Sequence, residues 1–223
     1  MKITNANLIR LAGLSALLAG LRYVIVGVFH PANVPSSVTT TRWARVSRVR
    51  LRHVILRGAR PGGNLRPAGG EVRLLGLVGF VMLSLWFVLI MGFSFVEAFV
   101  LPHSAAVSPA FVEGWMGMFN GDPSKINLGV LPTLWTLSGP LYILGGLLFG
   151  IATFRARILP RGAAMLLALG TALAPVAALL SLAAQPKIAI PTGLALGWLG
   201  YALMVERQTP AAHLDDHAIT ATV

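Results

Sequence analysis

Charged residues are absent from four long runs of this chain, Leu74–Val96, Leu128–Phe154, Gly162–Pro186 and Ile188–Val205. A helix rises 1.5 Å per residue, so about 20 apolar residues cross a hydrocarbon core about 30 Å thick. Each run is of that order, and none keeps the polar stripe that a helix turns toward water. A fifth stretch, Leu8–Phe29, is apolar apart from Arg22 and stops before His30-Pro31. Lys2 and Arg10 precede it as in a secretory signal, but no small-x-small cleavage site follows, so it reads as a retained helix. The pattern predicts an all-α integral membrane helical bundle, a single membrane domain with five transmembrane helices at about 8–29, 74–101, 128–154, 162–184 and 188–205. Barrel strands would alternate apolar and polar positions, and these runs do not.

Between the runs, His103–Asn127 has a character of its own. Phe111-Val112-Glu113-Gly114-Trp115-Met116-Gly117-Met118-Phe119 is aromatic and weakly amphipathic, which predicts a segment folded onto the headgroups, with a re-entrant loop as the alternative. Gly121-Asp122-Pro123-Ser124 reads as a turn. Pro140 and Pro175 lie inside predicted helices, where each removes a main-chain donor and bends the axis. Gly146 and Gly150 stand four residues apart, as do Gly193 and Gly197. That spacing lets helix backbones approach closely in lipid, either within the chain or, as the alternative, in a homo-oligomer.

Composition agrees with the pattern: 56% of residues are hydrophobic and 11% charged, against about 25% charged in soluble domains. The net charge of +11 is local, since nine of the eighteen basic residues fall between Arg42 and Arg73. A basic block beside membrane helices marks a cytoplasmic face rather than a nucleic-acid site, so the expected partner is the lipid bilayer. With no cysteine, thiolate chemistry and cysteine metal sites are excluded. His213, Asp215, Asp216 and His217 look like metal ligands, but they sit in a polar C-terminal tail, 206–223, that reads as unstructured. Neither a cofactor nor a metal is expected.

Arg155, Arg157 and Arg161 sit in a very short connection, which the positive-inside tendency makes cytoplasmic. The C-terminus and the residues before Leu74 then fall on the cytoplasmic side as well. The first helix fits less easily. Five crossings require an external N-terminus, whereas an internal one leaves a crossing to be made between His30 and Leu74. Residues 30–73 are the anomaly, an Arg-rich cytoplasmic segment in which arginine occurs with glycine and proline and without lysine. GC-rich codons read out of frame produce such a composition. Read one base later, codons for Val46–Glu71 can encode an apolar run, so segment 42–72 is read as a sixth helix replaced by a frameshift. The alternative is a basic helix on the cytoplasmic leaflet.

Ionisable residues inside a membrane are expensive and mark candidate sites. Arg22 and Glu97 qualify; with an internal N-terminus they lie at comparable depth and can pair. His30, His103 and Glu113 join them as candidate outer-face polar residues.

Leu141-Tyr142-Ile143-Leu144-Gly145-Gly146-Leu147-Leu148-Phe149-Gly150-Ile151-Ala152, then Arg155 and Ile158-Leu159-Pro160-Arg161, resembles a hairpin of bacterial multi-pass integral membrane proteins of unknown function. Asn7-Leu8-Ile9-Arg10-Leu11-Ala12-Gly13 and His30-Pro31 fit the same pattern. The resemblance spans most of the chain except about Trp43–Val72, where those proteins carry a second helix. It implies the bacterial cytoplasmic membrane and brings no activity or site residues. The function expected is structural, accessory or sensor-like without catalysis. The alternatives are a small transporter or channel with an outer polar site near Glu97, and a membrane enzyme using external His and Glu groups.

Overall fold

Why the helices lie where they do follows from glycines that sit against a neighbouring helix. A computed structural model describes residues 5–51, 70–122 and 125–205. Helices α1 (Asn5–Phe29), α2 (Thr41–Leu51) and α3 (Gly70–Phe95) are followed by a π-helical turn (Val96–Val100) and by α4 (Leu101–Val107), α5 (Pro109–Asn120), α6 (Leu131–Ala156), α7 (Arg161–Ala172) and α8 (Ala189–Val205). The described residues form helices and turns, with no strand among them.

Four spans are long and apolar enough to cross a membrane: Ile9–Phe29, Gly70–Val107, Leu131–Ala156 and Gln185–Val205. Their outward faces are hydrophobic, with Leu21, Val88, Leu144 and Leu194 all exposed. A face of that kind is stable against lipid and not against water. The helix predicted at 162–184 is shorter than expected. Regular helix ends at Ala172, and Ala174–Leu179 continues as 3₁₀ turns that contain Pro175, whose ring and missing N–H stop the α ladder. Pro140, by contrast, lies inside α6, which runs through it.

The glycine contacts order the bundle. Gly13 lies against Gly200, Gly20 against Gly197 and Gly193, and Gly27 against Ile190, so α1 and α8 are antiparallel. Gly79 meets Phe149 and Gly145 meets Leu83, pairing α3 with α6 in the same sense. Gly146 abuts Thr171 and Gly150 abuts Ala168, while Gly170 meets Thr192, which places α7 against both α6 and α8. Gly146, Gly150 and Gly193 are therefore filled by the chain's own helices, and Gly197 closes on Gly20. Close backbone approach is what such residues permit where lipid gives no hydrophobic drive.

Helices α1, α3 and α7 start at the end that carries Arg155, Arg157 and Arg161, and α6 and α8 finish there. Phe29, at the end of α1, and Gly70, at the start of α3, therefore lie at opposite ends of the bundle. The two ends of the Arg-rich block are separated, Arg42 lying near the end of α1 and Arg73 in the first turn of α3. Arg42 Nε donates to the Phe29 carbonyl across 2.8 Å, capping the last turn of α1 at the end opposite Arg155–Arg161. From there α2 packs on α3 with Trp43, Val46 and Ser47 buried and Arg45 and Arg48 exposed. The rest of the block, 52–69, lies outside the described residues, as does the 206–223 tail.

The aromatic segment also departs from expectation. Phe111–Phe119 is helical, and its aromatic face turns inward: Trp115 and Met116 are fully buried. Rings of Phe93, Trp115, Phe119 and Trp135 stack edge-on or tilted, with 4.5 Å between the Phe119 and Trp135 centroids and 5.5 Å between Phe93 and Trp115. Asn120 Nδ2 donates to the Asn33 carbonyl at 3.0 Å and ties this cap to the connection after α1. The segment folds onto the bundle itself, because that is where its large apolar area can be removed from solvent.

Candidate functional site

Two neighbouring features occupy the capped half of the bundle, a knot of polar groups under α2 and a cavity beside Arg22. The knot begins with the helix around Glu97. Leu101 N–H bonds to Val96 O, five residues back, in place of Glu97 O. The next residue is Pro102, which has no N–H. The Glu97 carbonyl consequently lacks a main-chain donor at both i+4 and i+5. Trp43 Nε1 supplies one from α2 at 2.9 Å. The His30 ring packs edge-on against Trp43 with centroids 5.2 Å apart, and its Nδ1 lies 2.7 Å from the Pro31 carbonyl. Thr40 Oγ1 accepts the Trp43 N–H at 3.2 Å and so caps the start of α2.

Of the five residues singled out from sequence, the structure buries three in this half. Arg22 is 4% exposed, Glu97 2% and His30 7%. The other two stay at the surface: His103 on α4 and Glu113 on α5 are exposed. Glu113 borders a shallow cavity of about 210 Å³ with Asp122 and Lys125. The set His30, Glu97, His103 and Glu113 is therefore split into an inner pair and two surface residues. Among the described residues no three His, Asp or Glu side chains are placed to hold a metal ion.

The cavity measures about 490 Å³. Arg22 enters it from α1, about 10 Å before the end of that helix. Trp86 and Ile90 of α3, Trp135, Gly139, Tyr142 and Ile143 of α6, Pro175 in the 3₁₀ turns, and Gln185 and Ala189 ahead of and at the start of α8 complete its walls. Tyr142 stacks at 4.5 Å between centroids on Trp86, and its hydroxyl donates to Thr192 Oγ1 at 2.8 Å. That bond ties α6 to α8 and meets the need of a phenol among apolar groups. Glu97 is not among the residues that line this cavity.

Sequence reasoning missed Trp43, Tyr142 and Thr192. A tyrosine in a charge-free run needs a hydrogen-bond partner, and that need was the usable sign for Tyr142. Trp43 gave no such sign, because it opens the arginine block and its partner is a main-chain carbonyl.

Comparison with protein-family models, with curated proteins and with solved structures finds no match.

Proposed function

We propose that this chain is a non-catalytic, sensor-like or accessory component of the bacterial cytoplasmic membrane that holds a membrane-borne ligand in the cavity beside Arg22. One observation carries the reading: a buried arginine facing into about 490 Å³ of otherwise mainly apolar space. Small-molecule sites combine mostly hydrophobic walls with a few placed polar groups, and this cavity has that make-up. Its polar groups are Arg22, Thr136, Ser138, Tyr142 and Gln185, a set suited to orienting a ligand.

The exposed arginines at positions 155, 157 and 161 support a cytoplasmic location for that end, and with it a cytoplasmic C-terminus. The cavity then belongs to the outer half of the membrane. Helix α7 and the 3₁₀ turns after it together rise roughly 30 Å, which supports counting them as a fifth crossing.

The test is the small-molecule content of the full chain purified in nonionic detergent. Organic extraction followed by mass spectrometry is expected to release a compound in stoichiometric amount from the wild type. The Gly139→Leu variant is expected to release less, because Gly139 lines the cavity and a Cβ there meets no atom within 4 Å. Equal yields from the two proteins, or none from the wild type, would overturn the reading.

A further inference from the structure

The cavity's chemistry narrows the ligand. We infer that it takes a single-chain amphiphilic carboxylate, head against Arg22 and tail along the aromatic wall; this rests on the binding reading above. A guanidinium carries five N–H donors in a planar fork and stays cationic at any working pH. Its fork matches a carboxylate in a two-point geometry, and a guanidinium engaged elsewhere in the protein still has donors for a further acceptor.

The remaining walls select the tail. Trp86, Ile90, Trp135, Ile143 and Pro175 offer apolar and aromatic surface. At about 490 Å³ the space lies within the roughly 300–1,000 Å³ typical of small-molecule pockets, room for one acyl chain and not for the two of a phospholipid. Thr136 lines the cavity from the second turn of α6, Gln185 from ahead of α8 and Arg22 from within α1. An amphiphile entering from the outer half of the bilayer is then held by a charge that bulk lipid does not offer.

The experiment measures saturable binding of tritiated palmitate and of tritiated hexadecanol, equal in chain length, to the full chain in nonionic detergent. Palmitate is expected to bind once per chain and about tenfold or more tighter than hexadecanol, as a charge-assisted bond outweighs a neutral one. Arg22→Met is expected to erase the difference between the two probes, and Arg22→Lys to keep most of it. Gly139→Leu is expected to weaken both. Should Arg22→Met fail to fold, Arg22→Lys and Gly139→Leu carry the test. Equal affinity of wild type for the acid and the alcohol overturns the carboxylate head while leaving a binding cavity. Saturable binding of neither probe, with a compound still extracted from the purified chain, overturns the ligand class alone. Failure of both probes and an empty extract overturns the binding reading itself.

Discussion

The indole N–H of Trp43 donates across 2.9 Å to the main-chain carbonyl of Glu97. That carbonyl is the one the helix cannot serve, since Leu101 N–H is drawn to Val96 O and Pro102 has no N–H to give. A buried acceptor left without a donor costs about 1–3 kcal/mol. Trp43→Phe is expected to destabilise the folded chain by about that amount, read as a shifted midpoint in denaturing-detergent titration. Pro102→Ala returns an N–H to the helix, so the loss from Trp43→Phe should shrink in the double variant. A loss of the same size in both backgrounds would refute the link between the proline and the indole.

How much of this was legible beforehand depends on whether local pattern or distant geometry decides an element. The runs 128–154 and 188–205 return almost unchanged as α6 and α8, because burial on all sides of lipid writes itself into every residue. Arg22 and Glu97 were also legible, since a charge in such a run stands out. Three features were not. The helix beyond Pro102 continues because the π-helical turn absorbs the proline, a rearrangement no propensity encodes. Helix α7 stops at Ala172, where Pro175 and not composition sets the limit. And the direction of α1, which places Arg22 and Glu97 in one half of the bundle, is set by glycine contacts with α8 across the whole fold.

Arg22 and Glu97, of opposite sign and both almost wholly buried, are expected to stabilise each other. Attraction between buried charges is strong at low dielectric, and removing one leaves the other uncompensated at about 3–5 kcal/mol. Arg22→Met and Glu97→Gln should each destabilise strongly, while the double variant should lose clearly less than the two together. Strict additivity in this double-mutant cycle would show that the two charges are energetically independent.

Glycine positions separate into two classes with opposite expected effects. A Cβ on Gly20 would overlap the Gly197 and Gly193 backbones, so Gly20→Ala must push α1 away from α8, at about 1–3 kcal/mol. A Cβ on Gly92 meets nothing within 4 Å, and Gly92→Ala is expected to be neutral or to gain up to about 1 kcal/mol from helix propensity. Thermal aggregation midpoints of the two variants in detergent decide this. A loss at Gly92 equal to that at Gly20 would contradict the packing described.

The absence of cysteine makes topology directly measurable with single introduced thiols. Ser108→Cys, between α4 and α5, is expected to react with a membrane-impermeant maleimide added to intact cells. Ile158→Cys, in the connection between α6 and α7, should react only after the cells are opened. The reverse pattern would invert the membrane orientation proposed from Arg155, Arg157 and Arg161, and labelling of both in intact cells would exclude it.

The chain leaves α1 at one end of the bundle and enters α3 at the other. Helix α2 begins that passage with two features that fit a membrane helix, the buried Trp43 and the buried Val46. It also carries Arg45 and Arg48 on its outward side, where a membrane helix would present apolar groups to lipid. At mid-membrane a charged side chain costs roughly 2.5–3.5 kcal/mol on insertion scales, and snorkelling toward the interface reduces this. Arg42 and Arg45 precede Val46, and a shift of reading frame near Val46 would account for the arginines from Arg48 onward. The expectation is that the coding DNA, read one base later over Val46–Glu71, gives an apolar run. Replacing those residues by that run should raise the yield of monodisperse protein in detergent. If no shifted frame is apolar, the basic segment is genuine; Arg48→Leu should then leave the yield unchanged or lower it.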